Sequence, residues 1–131
     1  MATVSLIEYE NASGEVRAVF DDIKHTRGIK DVNNFWKALA NQPATLKRTW
    51  ENLREIMQPG ALDAVTKEMI YLAVSVANNC DYCIHSHTAS ARAKGMTEAQ
   101  YAELLAVIGM ASETNALVTA LKVPVDEQFL K

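Results

Sequence analysis

Four side chains within a short stretch of this sequence are of types that together can carry out thiol redox chemistry. They are Glu68, Cys80, Cys83 and His87, and the two cysteines are the only two in the chain. Two thiols in a Cys-x-x-Cys arrangement can close a disulfide if their Cα atoms lie within about 7 Å, as one helical turn permits. A thiol becomes a strong nucleophile only as the thiolate, which a neighbouring acid–base group can promote. The stretch therefore predicts a redox-active dithiol with its own proton relay.

The spacing of Cys80, Cys83 and His87 would place all three side chains on one face of a helix. If a helix begins at or near Cys80, then Cys83 and His87 follow on the same side, whereas His85 points away to packing or solvent. The helix N-terminus would lower the pKa of the Cys80 thiol, and the imidazole one turn on would lower that of Cys83. These two arguments favour different cysteines as the nucleophile, and spacing alone does not decide between them.

Glu68 lies on an otherwise apolar helical segment. A buried carboxylate is costly unless it has a proton, a partner or a bound water. Oriented toward His87, it would hold the imidazole and let it act as a base. Alternatively, Glu68 ends a surface turn beside Lys67 and only tolerates its apolar neighbours. Both interpretations remain open from the sequence.

A Cys-x-x-Cys pair also occurs in thioredoxin-like proteins and in zinc half-sites. A thioredoxin fold needs β–α–β units, and this sequence shows none. The four candidate residues could supply three or four zinc ligands, but the usual second pair of ligands is missing. A metal-binding scaffold or a non-enzymatic redox sensor is therefore the minor alternative.

Composition sets the wider limits on fold and function. The chain has 131 residues, 49% hydrophobic and 22% charged, which predicts one globular domain over residues 1–131. A net charge of −3 argues against a nucleic-acid partner. The N-terminus lacks the features of a signal peptide, and the uncharged run over residues 69–79 is shorter than the roughly 20 residues of a membrane helix. We therefore expect a cytoplasmic protein with no membrane partner, in which a close cysteine pair is catalytic or metal-binding.

Apolar residues recur at helical spacing along most of the chain, and strand signals are nearly absent, which predicts an all-α bundle of about six to seven helices. Residues 1–12 are predicted to form an extended N-terminal arm. Helix start and stop signals follow it, at Ser13, Gly28, Asn33 or Asn34, Pro43, Pro59-Gly60, Asp63, Asn79 or Cys80, Gly95, Thr97 with Gln100, and Pro124.

Several of the predicted helices carry further predictions. The helix of Glu68 is apolar on all sides, which predicts that it is buried, either centrally or at a subunit interface. Gly109 is expected to bend the helix that begins at Thr97, and Ser112 with Glu113 to start a last helix. Trp36 and Trp50, on the two helices before Pro59, are assigned to packing rather than to a ligand.

The pattern Glu68-x11-Cys80-x2-Cys83-x3-His87 resembles the signature of the AhpD-like alkylhydroperoxidase branch of the carboxymuconolactone decarboxylase family. The resemblance extends roughly over residues 41–118. It departs at Tyr82, where some members carry a histidine. Family members that decarboxylate generally lack the paired cysteines, so the resemblance does not imply decarboxylation here.

The resemblance implies a peroxidase or disulfide reductase that needs no haem, flavin or metal. In it, Cys83 is the peroxide-attacking thiolate, Cys80 is the resolving thiol, and Glu68 with His87 forms the proton relay. The substrate would be a small hydroperoxide, and a dithiol or lipoyl-type protein would donate electrons. The implied assembly is a homo-oligomer, a trimer or hexamer. An alternative is a disulfide reductant for a peroxiredoxin or lipoyl-type partner with little direct peroxidase activity.

Overall fold

The computed structural model describes all residues, 1–131, and the chain divides into two compact units, residues 1–58 and 59–131. Six α-helices and two short 3-10 turns form the regular structure, and residues 1–131 contain no β-strand. The predicted all-α class is confirmed, with six helices. The assignment of residues 1–131 to one domain stays a prediction.

The first unit contains three helices, which begin at the predicted signals, although the third ends at Ile56, three residues before Pro59. They are α1 (Gly14–Arg27), α2 (Asn34–Leu39) and α3 (Pro43–Ile56). The Ser13 hydroxyl caps α1 by accepting the N–H of Val16 at 3.3 Å. Gly28, at φ 64°, ends this helix in a left-handed conformation that is favourable for glycine.

The core of the first unit forms around two tryptophans. Trp36 and Trp50 are buried, and their ring centroids lie 5.5 Å apart in an edge-to-face arrangement. The indole N–H of Trp50 donates to the Asp22 carboxylate at 2.6 Å, so its polar atom is satisfied. The prediction that both tryptophans serve packing is confirmed.

The N-terminal arm packs against its own unit. The buried Lys37 amine lies 2.6 Å from the Glu8 carboxylate in the arm and 2.7 Å from that of Asp31. The backbone N–H of Ile7 donates to the Lys37 carbonyl at 3.1 Å. The arm also forms a short 3-10 turn over Tyr9–Asn11. Backbone hydrogen bonds and a buried ion pair therefore tie the arm down.

The second unit contains α4 (Ala64–Ala77), α5 (Asp81–Ala93) and α6 (Glu98–Leu121). Asp63 caps α4 through the N–H of Thr66 at 2.8 Å. The helix ends in a Schellman motif, in which Asn79 adopts φ 53° and the N–H of Cys80 donates to the Ser75 carbonyl at 3.0 Å. This tight ending places Cys80 as the N-cap residue of α5, close in space to the helix that carries Glu68.

Helix α6 is longer than the sequence predicted. Thr97 and Gln100 form the expected capping box, with hydrogen bonds of 3.1 and 2.9 Å. The predicted new helix start at Ser112 is wrong, because α6 runs without interruption through Gly109 and Ser112 to Leu121. The bend at Gly109 stays a prediction. One glycine inside a helix costs only about 1 kcal/mol relative to alanine, which does not end a long apolar helix.

Two apolar surfaces of the second unit are exposed in the single chain. On α4, Ile70 and Val74 are 49% and 55% exposed, so the expected burial of the whole helix is not met within one chain. Helix α6 is exposed along its C-terminal half, and its length and composition are sufficient to cross a membrane. The exposed apolar residues of α6 are Leu105, Val107, Met110, Leu117, Val118 and Leu121.

Candidate active site

One face of α5 presents a continuous row of reactive and polar side chains toward α4. After the N-cap residue Cys80, the row continues with Cys83, His87, Ser90 and Lys94, at intervals of three or four residues. This spacing brings side chains into line along a helix. The three residues at the C-terminal end of this row all contact Glu68 of α4.

Glu68 is the centre of this hydrogen-bond network. Its side chain is buried, with only 3% of the residue exposed. One carboxylate oxygen, Oε2, lies 2.6 Å from Nδ1 of His87. The other, Oε1, accepts from the Ser90 hydroxyl at 2.9 Å and from the Lys94 amine at 2.5 Å. Glu68 is therefore oriented toward His87, and the alternative of a surface turn is wrong.

The charge state of Glu68 determines which nitrogen of His87 carries the proton. Burial tends to raise the pKa of Glu68, but hydrogen bonds from His87, Lys94 and Ser90 outweigh burial and lower it to about 2. An ionised carboxylate can only accept hydrogen bonds, so Nδ1 of His87 must be the donor. The Nε2 atom of a neutral His87 then keeps its lone pair, as a general base requires.

The two thiols lie next to each other at the N-terminus of α5. Neither cysteine is in a disulfide, and both are partly buried. The neighbouring Cys83 thiol, and then the Cys83 backbone N–H, lower the pKa of Cys80. Burial, followed by the hydrogen bond to Cys80 and repulsion from it, raises the pKa of Cys83 to about 11. In the resting dithiol, the negative charge therefore favours Cys80.

This order of thiol acidity bears on which cysteine is the nucleophile, a question that the sequence spacing left open. The helix N-terminus argument favoured Cys80, and the resting electrostatics agree with it. The resemblance assigns peroxide attack to Cys83, which would need His87 to remove its proton. The assignment of Cys83 as attacking thiol and Cys80 as resolving thiol stays a prediction.

Limited alkylation of the reduced protein with iodoacetamide near pH 7 is expected to label Cys80 before Cys83, by roughly tenfold, because the thiolate is the reacting species. Peptide mass spectrometry at short times measures the ratio. The Cys80→Ser variant is the control, in which Cys83 should be labelled slowly. Faster labelling of Cys83 in the wild-type protein would contradict the acidity order.

Sequence reasoning missed three residues of the site. The ring of Tyr71 stacks on that of His87, with centroids 3.6 Å apart and planes 21° apart. Burial, and then the nearby charges of Cys83, Cys80 and Glu68, raise the pKa of the Tyr71 phenol. Ser90 and Lys94 are the other two. Their positions three and seven residues after His87 were a usable signal, as was the position of Tyr71 three residues after Glu68.

Two neighbouring residues lie outside the network. His85 is exposed, consistent with its expected position away from the cysteine face. Tyr82, the point of departure from the family pattern, is 46% exposed. Across residues 1–131, no three His, Cys, Asp or Glu side chains are grouped so that they could hold a metal ion.

The part of the chain that contains this site is similar to known proteins. The sequence profile of the carboxymuconolactone decarboxylase family matches residues 43–126, which include all four predicted site residues. The chain belongs to the carboxymuconolactone decarboxylase family. Its fold is that of a crystal structure described as the alkylhydroperoxidase AhpD core from Rhodospirillum rubrum, with a TM-score of 0.96 and 63% sequence identity. That match covers 100% of this chain and 98% of the other.

Curated relatives of this family member are more distant. An uncharacterised protein from Cupriavidus necator is 34% identical over 80 residues, which is 60% of this chain and 71% of the relative. An (R)-2-haloacid dehalogenase from Pseudomonas putida is 27% identical over 105 residues. That match covers 80% of this chain but only 35% of the dehalogenase. The family match and the AhpD core structure together establish the AhpD-like fold and the family membership.

Proposed function

We propose that this protein is an AhpD-type thiol peroxidase that reduces small hydroperoxides with the Cys80–Cys83 dithiol. The observation that carries the proposal is the 2.6 Å contact between Glu68 of α4 and His87 of α5. His87 lies on the same side of α5 as the two cysteines at its N-terminus. A buried carboxylate that orients an imidazole four residues after a thiol is the arrangement that general-base activation of a nucleophile requires. Similarity to the AhpD core supports the same reaction class.

In the proposed first step, Nε2 of His87 takes the proton of the Cys83 thiol. The Cys83 thiolate attacks the terminal oxygen of the hydroperoxide, and the O–O bond breaks. The departing alkoxide takes the proton from His87 and leaves as an alcohol, while Cys83 becomes a sulfenic acid. Glu68 stabilises the positive charge on the imidazole while the proton resides there.

In the second step, the Cys80 thiolate attacks the Cys83 sulfur. A disulfide forms, and the hydroxyl group of the sulfenic acid leaves with a proton as water. The hydroperoxide has then been reduced to an alcohol and water by the two electrons of the dithiol. An external dithiol or lipoyl-type donor resets the pair by thiol–disulfide exchange. The chemistry requires no haem, flavin or metal.

One observation favours a second candidate, a reductant for a protein disulfide. The lowered pKa of Cys80, at the N-cap of α5, is what exchange with a partner's disulfide needs. In that case Cys80 would attack the disulfide of a peroxiredoxin or lipoyl-type protein, and Cys83 would release the product by closing the intramolecular disulfide.

Titration of the reduced protein with one equivalent of tert-butyl hydroperoxide, or of oxidised lipoamide, separates the two candidates. Stopped-flow mixing and intact mass follow the sulfenate and the disulfide. The peroxidase proposal expects rapid loss of two hydrogens with peroxide, through a transient sulfenate. Rapid oxidation by lipoamide with negligible reaction with peroxide would favour the reductant instead. Inertness toward both oxidants would contradict a redox function.

The exposed apolar surfaces support a homo-oligomer as the working form. We propose that a second copy covers the C-terminal half of α6, in the trimer or hexamer that the family resemblance implied. A row of exposed leucine, valine and methionine side chains this long is costly in water. The exposed Ile70 and Val74 on α4 form a second apolar surface that another copy would cover in such an assembly.

A charge in this surface is expected to disrupt the oligomer. Leu117 is half-exposed in the single chain, and Leu117→Glu would place a carboxylate in the proposed interface. Sedimentation velocity should show a shift from oligomer to monomer for this variant. Lys122→Glu, just beyond the end of α6, is the control for added charge and should remain assembled. A monomeric wild-type protein, or one that binds phospholipid vesicles through α6, would contradict the proposal.

A further inference from the structure

Lys94 reaches Glu68 from the far end of α5. Its amine lies 2.5 Å from Oε1 of Glu68, while its side chain remains 37% exposed. We propose that Lys94 is a positioning residue for the thiol chemistry, whose ammonium group keeps Glu68 as the anion that accepts from Nδ1 of His87. This inference rests on the proposed redox function, to which it adds a residue that acts through Glu68 and His87 rather than on the substrate.

The local fold explains how Lys94 comes to this position. It is the C-cap residue of α5, and its backbone N–H donates to the Ser90 carbonyl at 3.0 Å. The chain then turns sharply at Gly95, where φ is 107° and a side chain would be strained. Helical side chains lean toward the helix N-terminus. Lys94 therefore extends back along the face that bears His87 and meets the buried carboxylate.

The charges around Glu68 make Lys94 the decisive partner. Of the three groups that donate to this carboxylate, the Ser90 hydroxyl and a neutral His87 carry no charge, and only Lys94 brings a full positive charge. The other titratable groups nearby are the Tyr71 phenol on α4 and the two thiols, and these can only add negative charge. A buried carboxylate in contact with neutral and anionic groups alone would tend to bind a proton.

Loss of the lysine charge changes the proton balance of the Glu68–His87 pair. When this pair binds one additional proton, its imidazole can no longer act as a base, whichever of the two residues holds that proton. A nearby cation opposes this protonation. Without the Lys94 charge, the pair should therefore bind this proton at a pH that is about 1 to 3 units higher than in the native protein. Activity would then fall at pH values where the native protein still has its base.

Three variants test this role in the full-length protein. Lys94→Met removes the charge but keeps an unbranched side chain, and Lys94→Arg keeps the charge. Arg92→Met is the matched control, because Arg92 lies on the same last turn of α5 but pairs with Glu98 at 2.8 Å. Circular dichroism and sedimentation verify that each variant is folded and assembled. Because the Lys94 side chain is partly exposed, we expect all three to fold.

The first readout needs no substrate. Nitrogen-15 NMR of histidine-labelled protein follows the two ring nitrogens of His87 between about pH 4 and 9. This range covers the ordinary titration of a histidine side chain. Lys94→Met is expected to move the midpoint to higher pH, while Lys94→Arg and Arg92→Met keep the native midpoint. The inference is overturned if Lys94→Met also keeps it.

The second readout is the rate of single-turnover oxidation by tert-butyl hydroperoxide across the same pH range. Lys94→Met is expected to be slower by a factor that grows as the pH falls, to about tenfold or more, and Lys94→Arg to restore the native profile. A loss of rate that is equal at every pH would assign Lys94 a structural role only and would overturn the inference. If the native protein is inert toward peroxide and lipoamide, the proposed function fails, and the NMR midpoint still decides the role of Lys94.

Discussion

Replacement of Cys83 by serine is expected to abolish peroxide turnover. The serine hydroxyl cannot supply a thiolate for attack on the O–O bond, and the remaining Cys80 would have no partner with which to close a disulfide. Steady-state consumption of tert-butyl hydroperoxide, with a dithiol as reductant, measures the loss. The rate should fall to that of the reductant alone. Full activity in Cys83→Ser would exclude the proposed assignment.

The complementary variant, Cys80→Ser, separates attack from resolution. Cys83 is expected to react once with peroxide and to stop as a sulfenic acid, because no second thiol is present to displace the hydroxyl group. Intact mass should show the addition of one oxygen rather than the loss of two hydrogens. If Cys80→Ser is not oxidised at all while Cys83→Ser is, then Cys80 is the attacking thiol, as its lower pKa in the resting pair would favour.

Glu68→Gln is expected to impair both the reaction and the stability of the fold. A glutamine is uncharged, so it would leave the Lys94 amine without its counter-ion and remove the anion that orients His87. General-base catalysis typically contributes about 10²- to 10⁴-fold to a rate, so oxidation by peroxide should slow within that range. Stopped-flow oxidation near pH 7 measures this effect.

The stability effect has a defined dependence on pH. The pKa of Glu68 is about 2 in the folded protein, below its ordinary value of 4.5. A depressed pKa contributes stability that is fully present above the ordinary value and is lost as the pH falls toward the folded one. Wild-type protein should therefore lose about 3 kcal/mol of unfolding free energy from this group as the pH falls from 4.5 to 2.

Urea unfolding at fixed protein concentration, followed across that pH range, measures this contribution. Glu68→Gln should be less stable than wild type near pH 7, and the difference should narrow as the solution becomes more acidic. Glu98→Gln is the matched control, because its partner Arg92 is on the surface, where an ion pair is worth at most about 1 kcal/mol. A pH-independent difference for Glu68→Gln would contradict the depressed pKa.

Local rules predicted the helices well because each boundary depends on neighbouring residues. Ser13, Asp63 and the Thr97–Gln100 pair cap their helices through bonds that span three residues. The same rules failed inside α6, where Ser112 and Glu113 suggested the start of a new helix. No local signal overrides the propensity of a long apolar segment to continue as one helix.

The site was only partly predictable, for a related physical reason. The family resemblance implied that Glu68 works with His87, whereas the residues alone had left the orientation of Glu68 open. Ser90 and Lys94 were missed, although they share the same helical face, because polar side chains on a helix are usually solvated. No residue near Ser90 or Lys94 in the sequence indicates that a buried carboxylate from another helix contacts them. That partner lies 22 residues from Ser90 and 26 from Lys94 along the chain.

The anchored N-terminal arm has a practical consequence for protein engineering. Residues 1–5 are exposed, so an affinity tag ahead of them should leave the first unit undisturbed. Trimming the terminus past Glu8 would instead remove one of two carboxylates that neutralise the buried Lys37 amine. A shortened protein made for crystallisation should therefore begin no later than Ser5, whose carbonyl accepts from the Asn41 side chain.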